Sequence, residues 1–224
     1  ILSGLVGSEM CIRDSSRAWP SGLRRVWAWA RIELTQAPGR CRNRARCLAS
    51  RSRAPLAMAV APASAADLFA VHMQAELDAD LEGTMATMVA DPHLLNLASG
   101  TGGEGADGVR AFYATYLIGQ FFPPDVEFIP ISSTQDGERL VDELVIRFTH
   151  TQPIGHLLPG VPATGRKVEM ALVVIVGVRE GKVAYEHIYW DQAGLLAQLG
   201  LLDTTGLPVD PHTAGRLLAF TGKG

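Results

Sequence analysis

Residues 166 to 191 read RKVEMALVVIVGVREGKVAYEHIYWD, and their reading decides the fold. Val, Ile, Leu and Tyr crowd both halves, 166–179 and 182–191, and Glu180-Gly181 between them is a turn signal. The stretch therefore reads as two antiparallel β-strands joined by a tight turn. Its first half contains MALVVIVGV, which is apolar on both faces. That pattern suits a central strand covered on both sides.

Moving toward the N-terminus, residues 125–131 (DVEFIPI) and 139–151 (RLVDELVIRFTHT) are also β-rich, with a turn at Asp136-Gly137. A long Pro- and Gly-containing loop, 152–165, separates the second run from the first quoted strand. Before Asp125 the period becomes helical. Ser64 is a candidate cap for a helix reaching about Leu81, with Leu68, Val71, Ala75 and Met73 near helical spacing. A short helix is expected over Thr84 to Val89, stopped by Asp91-Pro92. The cluster SGTGGEGADG reads as a loop, and Val109, Phe112, Tyr113, Tyr116 and Leu117 form one face of a third helix. After the last strand, Gln192 to Leu199 is a closing helix ended by Gly200. Helices followed by a meander of antiparallel strands give an α+β domain.

Charge divides the chain in two. Residues 1–57 carry eleven Arg against Glu9, Asp14 and Glu33, a net charge of +8, and they hold all three cysteines, Cys11, Cys41 and Cys47. Residues 58–224 carry nine Lys and Arg against twenty acidic residues, a net charge of -11. GLVGSEMCIRDS, Gly4 to Ser15, resembles translated sequencing-adaptor text, so 1–57 is expected to be a non-native or disordered leader ahead of a start at Met58. An Arg-rich targeting peptide is the other reading. The 167 residues from Met58 suffice for one domain with a single sizeable core. No stretch reaches the roughly 20 apolar residues of a membrane span, so a cytoplasmic location is expected. The acidic domain argues against nucleic acid and against an anionic membrane surface.

With those elements placed, LPGVPATGRKVE (158–169) and YEHIYWDQAGLLAQLGLL (185–202) resemble the polyketide-cyclase-like, SnoaL-like branch of the nuclear transport factor 2-like superfamily. The similarity extends through EGTMATMVADP, the Gly-Gly loop, FYATYLIG and VDELVIRFTH, covering about residues 64 to 210. It implies a cone-shaped α+β barrel, N-terminal helices packed on a curved antiparallel sheet around one open pocket, and a homodimer. Two departures stand out: LLNLASGTGG after His93 is apolar and small, and Ser133 stands where relatives carry Arg.

Alternation along 182–191 puts His187, Tyr189 and Asp191 on one face, and Glu186, Ile188 and Trp190 on the other. A carboxylate, an imidazole and a phenol in an apolar cone can remove a proton beside a carbonyl and stabilise the enolate. The resemblance also places Asp191 at the position of the cyclase acid/base aspartate. Asp191 is thus the expected general acid/base, with His187 and Tyr189 as relay partners; it is equally placed to cap the helix QAGLLAQL. A bulge would shift the register by one and turn Glu186 and Trp190 to the pocket instead. His150, Tyr113, Tyr116 and His93 are further candidate wall residues. Glu143 is a solvated strand residue or a partner of Arg147 or His150.

His150, His156, His187 and Asp191 match no tight ligand spacing, and the resembled family works without metal, so neither metal nor cofactor is expected. A hydrolase using a nucleophile is disfavoured, because the domain has no cysteine and no G-x-S-x-G elbow. GTGGEG lacks the Lys-Ser/Thr of a phosphate loop. Two functions remain. The first is a small cofactor-independent acid/base enzyme on an apolar carbonyl-bearing metabolite, working by aldol cyclisation, isomerisation or hydration. The second is a non-catalytic dimeric domain that binds a ligand or a protein. The loop 150–165, with Leu157, Leu158 and Pro159 expected to be exposed, reads as a lid or a dimer contact.

Overall fold

The structure is a computed structural model that describes residues 64–117 and 121–223. The leader, its adaptor-like text and the start at Met58 lie outside the described residues. The element order is α1 (Ala65–Leu77), α2 (Leu81–Ala86), β1 (Met88–Asn96), β2 (Thr101–Glu104), α3 (Gly105–Phe112) running into a π-helical turn (Tyr113–Leu117), β3 (Glu127–Gln135), β4 (Arg139–Thr149), β5 (Lys167–Arg179), β6 (Lys182–Trp190), α4 (Gln192–Gln198) and α5 (Thr213–Phe220).

The six strands form one sheet in the order β2-β1-β6-β5-β4-β3. β3 to β6 make the expected antiparallel meander, and β5 is central. The sheet is nonetheless mixed, because β1 pairs in parallel with β6. The helix expected over Thr84 to Val89 ends at Ala86, and the chain enters β1 two residues later. Pro92 does not stop this strand. It sits in the irregular stretch between the paired positions Met88 and His93, where its missing N–H breaks no ladder bond. Part of the glycine cluster is likewise a strand, β2, paired to β1 from Thr101 to Glu104.

A capping box starts α1: the Ser64 hydroxyl accepts from the Asp67 N–H at 3.1 Å, and the Asp67 carboxylate accepts from the Ser64 N–H at 3.2 Å. The buried face of α1 is Ala65, Phe69, His72, Met73 and Glu76, whereas Val71, expected inward, is exposed. Two polar side chains therefore occupy the inward stripe. The apolar residues of that stripe, Ala65, Phe69 and Met73, cluster with Val109, Phe112 and Tyr113, with Leu94 of β1, Leu140 of β4, Val176 of β5 and Val183 of β6. A second cluster joins Ile146, Phe148, Met170 and Leu172 to Leu195 of α4 and Leu199 at its C-terminal cap, and to Ile154, Leu157 and Leu158. The 150–165 loop is thus pinned by its leucines, both about 1% exposed, which corrects the expected exposure of Leu157 and Leu158, whereas Pro159 is exposed as expected. α5, which the sequence reading did not anticipate, packs Ala214 and Leu218 on Val145 and Ala171, on the opposite face of the sheet.

Among the described residues no helix is long and apolar enough to cross a membrane.

Candidate functional site

Between the N-terminal helices and the sheet lies a cavity of about 90 Å³. Its lining is mostly Phe, Leu, Met, Val and Ile; the polar exceptions are Glu76, Asn96, Asp142, His156 and Glu186. Asp142 and Leu144 also border a wider cleft of about 440 Å³ between α1 and β3–β4.

Which face of β6 looks into the cavity is settled by a bulge. Val178 pairs with Val183, but Gly177 pairs with Tyr185, so Ala184 is an extra residue. Val183 packs in the helix-covered core. The extra residue then reverses the alternation, and Glu186 and Ile188 become the cavity residues. Unbroken alternation from Val183 would have chosen Tyr185, His187 and Tyr189. Those three lie on the other face. The Tyr185 ring covers Gly177, where an added Cβ would fall 2.0 Å from it. His187 stacks on Tyr185 and meets His93, their Nε2 atoms 3.0 Å apart, and Tyr189 is 42% exposed. His187, Tyr189 and His93 are therefore placed outside the cavity, a correction to the expected facing.

Asp191 is exposed and caps α4: its carboxylate accepts from the Gly194 N–H at 2.9 Å. It is not among the cavity-lining residues. Replacing Asp191 by Ala is expected to lower stability by about 1 kcal/mol through loss of this cap, while Asn should be nearly neutral because it caps as well; chemical denaturation of the two variants checks this. Trp190 lies on the cavity side of β6 but packs in the second core cluster, its indole N–H donating to Gln192 Oε1 at 2.6 Å. Tyr116 packs on Phe112 and against Gly155. His150 is buried beneath the loop, its Nδ1 accepting from the Thr164 N–H, with burial lowering its pKa. Glu143 accepts from Ser132, and Arg147 pairs with Glu169, so neither expected partner of Glu143 is used.

The polar end of the cavity is a buried cluster of His72, Glu76, Tyr113 and Glu186. α1 supplies His72 and Glu76 one turn apart, the π-helical turn supplies Tyr113, and β6 supplies Glu186. The Thr87 hydroxyl donates to the Thr84 carbonyl at 2.6 Å, so it accepts from His72 Nδ1, also at 2.6 Å. That fixes a proton on Nδ1. The other nitrogen, Nε2, is 3.1 Å from Glu186 Oε1 and 3.0 Å from both the Tyr113 hydroxyl and Glu76 Oε1. Tyr113 donates to Glu186 Oε1 at 2.6 Å. Glu76 Oε1 is close to the imidazole but has no aligned hydrogen bond.

Opposed effects set the charges. Burial by itself would lower the His72 pKa, but Glu186 and Glu76 outweigh it and raise the imidazole to about 10. Glu186 is also penalised by burial, yet attraction to His72 and the bonds from His72 and Tyr113 hold it below the usual carboxylate range. For Glu76 burial wins over His72, and its pKa is raised. Tyr113 stays protonated, pushed well up by burial and by the two carboxylates. Burial also raises Asp142, partly countered by the Ser133 hydroxyl. The cluster is therefore an imidazolium, an anchored carboxylate, a phenol donor and one carboxyl whose pKa burial raises.

His72, Glu76 and Glu186 bring ligand-type atoms within 4.8 Å of one another. A metal bound there would have to displace the imidazole proton, which the two neighbouring carboxylates favour.

His72, Glu76 and Asp142 were not singled out from the sequence. The signal for the first two was the spacing of Phe69, His72, Met73 and Glu76, a helix face on which a His and a Glu fall between core residues.

Residues 73–199, more than half of the chain, match the family model for SnoaL-like polyketide cyclases. Among solved structures the chain is similar to IdmH from Streptomyces antibioticus, assigned as a polyketide cyclase, at 27% identity over 60% of this chain and 96% of that one, with a TM-score of 0.45. It is similar to AclR from Streptomyces galilaeus, assigned as a hydroxylase, at 23% identity over 61% and 95%, with a TM-score of 0.45. A protein from Jannaschia sp. CCS1 assigned as a SnoaL-like polyketide cyclase is 18% identical over 61% and 91%, with a TM-score of 0.49. No curated protein matches the chain.

Proposed function

This chain belongs to the SnoaL-like polyketide cyclase family, and from that premise we propose that it is a small acid/base enzyme acting, without metal or cofactor, on an apolar carbonyl-bearing metabolite. The observation that carries the reading is Glu76. It is a carboxyl whose pKa burial raises, it lines an apolar cavity, and its Oε1 lacks a hydrogen-bond partner among the described residues. A base with a raised pKa is matched to removing a proton beside a carbonyl near neutral pH.

In the proposed step the Glu76 carboxylate takes a proton from the carbon next to the carbonyl. The C–H electron pair becomes the enolate. In an aldol cyclisation that carbon attacks a second carbonyl of the same molecule, and the new alkoxide takes back the proton from Glu76. Protonation at another carbon gives an isomerisation instead. Either way no oxidant or reductant is consumed. His72 and Tyr113 do not touch the reacting atoms in this scheme. They hold Glu186 anionic, and His72 supplies the positive charge beside Glu76. A homodimer and a cytoplasmic setting remain part of the proposal.

The test begins with a thermal-shift screen of aromatic polyketides, lactones and terpenoid ketones, followed by NMR detection of solvent deuterium entering beside the carbonyl of each hit. Deuterium wash-in supports the enzyme. Tight binding with no exchange for any hit supports the alternative, a ligand-binding domain, which the role of Asp191 as a helix cap favours.

A further inference from the structure

His156 lies on the 150–165 loop, 5% exposed, and lines the cavity. Its placement is unusually well fixed for a loop residue. The backbone carbonyl accepts from the Ser99 hydroxyl at 2.7 Å and from the Thr101 hydroxyl at 2.9 Å, which ties the loop to the β1–β2 connection. The ring stacks at 6.2 Å from Phe121 and meets Phe122 edge-on at 5.3 Å. Leu157, the next residue, is buried in the second core cluster. Yet Nδ1 is buried without a hydrogen-bond partner among the described residues. An unmade bond on a buried nitrogen is costly, and an imidazole held so firmly is suited to a partner that arrives in the cavity.

The other polar groups of the lining narrow what that partner is. Asn96 already gives an amide N–H to Thr101. Glu186, held ionised, only accepts. The Tyr113 hydroxyl is spent on Glu186. An ionised Glu76 likewise offers no proton to a ligand oxygen. Burial alone lowers the His156 pKa to about 4, so near neutral pH the ring carries one N–H and no charge.

We propose that the imidazole of His156 donates the hydrogen bond that holds the carbonyl oxygen of the ligand. The inference rests on the carbonyl-ligand reading above and adds where the oxygen lies: against the 150–165 loop. A neutral imidazole there polarises the carbonyl and stabilises an enolate oxygen without giving up its proton. It also defines the ligand class: a carbonyl compound whose remaining surface is apolar.

Two compact probes of nearly equal shape, cyclopentanone and methylenecyclopentane, test this on the full chain. Their dissociation constants are measured by NMR titration at pH 5 to 8, together with the imidazole nitrogen shifts of the wild type. The expected result is about tenfold tighter binding of the ketone, the scale of one added hydrogen bond. It should be constant across that pH range and accompanied by a shift of the His156 nitrogen signals with the ketone alone. His156→Phe should lose the preference and His156→Gln should retain part of it. The proposal is overturned by equal binding of the two probes, by an undiminished preference in His156→Phe, or by His156 signals that do not respond to the ketone. It is also overturned by a preference that fades as pH rises, which would assign the donor to a protonated carboxyl, Asp142 or Glu76. If His156→Phe does not fold, the wild-type nitrogen shifts decide. Absence of binding by both probes overturns the cavity reading and this one together. A ketone preference without deuterium exchange upholds His156 while removing the acid/base function.

Discussion

Replacing His72 with leucine is expected to lower the stability of the protein by about 3–5 kcal/mol, the scale seen when one partner of a buried charge group is removed. The reason lies in what is left behind. Glu76 and Glu186 are each about 96–97% buried, and His72 is the cation between them. Without it, among the described residues, Glu186 keeps only Tyr113 as donor and Glu76 has no positive charge nearby. Urea unfolding of the variant against wild type checks this. A loss below about 1 kcal/mol would mean that the imidazole carries no charge in the folded protein.

The same residue gives the stability a pH signature. The folded pKa of His72 is raised to about 10 from an ordinary 6.5, so its contribution is complete below pH 6.5 and is lost as pH rises toward 10. The loss has a slope of at most about 1.4 kcal/mol per pH unit. Glu76, also raised, acts with the same sign at lower pH: its contribution is present below its unfolded pKa and erodes as pH rises through the folded value. Glu186 is lowered and acts oppositely, its contribution being lost in acid as pH falls through its folded value. The wild type should therefore lose stability on the alkaline side from about pH 6.5 upward, and His72→Leu should flatten that limb. Denaturation midpoints at pH 6 and pH 9.5 suffice to see it.

The second large effect concerns Glu76. Glu76→Gln keeps shape and removes the titrating group, and proton transfer by a placed carboxyl contributes about 10²- to 10⁴-fold. A loss of that size in the exchange or cyclisation rate is expected, with ligand binding little changed. Because the active form is the carboxylate, the wild-type rate should rise with pH through the Glu76 pKa, above its ordinary 4.5, and the variant should lack that rise. A variant within threefold of wild type would remove Glu76 from the chemistry.

Much of the fold was legible because local rules agreed with tertiary structure. β3 to β6 announce themselves by β-branched runs and turn dipeptides, and Ser64 and Asp67 form the box that starts α1. What escaped was controlled by partners distant in sequence. β1 contains Asp91-Pro92 and reads as a helix stop, but pairing with β6 overrides that preference. The facing of β6 turned on one residue, and the structure takes the bulged alternative rather than the unbroken alternation. The bulge at Ala184 reverses the parity of β6, and nothing in KVAYEHIYWD marks it, because Val183, Ala184 and Tyr185 all fit either face. Glu186 and Trp190 turn inward while His187 and Tyr189 turn out. His72 and Glu76 escaped for another reason: a search for apolar periodicity passes over the polar residues that share the buried stripe of α1.

Two carboxyls now compete for the chemistry: Glu76 at the cavity, and Asp191, the acid/base expected from the family resemblance, which caps α4. The most direct measurement is the rate of deuterium wash-in to one bound ketone, taken side by side for wild type, Glu76→Gln and Asp191→Asn. Exchange that survives in Asp191→Asn and falls at least a hundredfold in Glu76→Gln is the predicted result. Exchange that survives in Glu76→Gln and disappears in Asp191→Asn would contradict the account and move the chemistry to the helix cap.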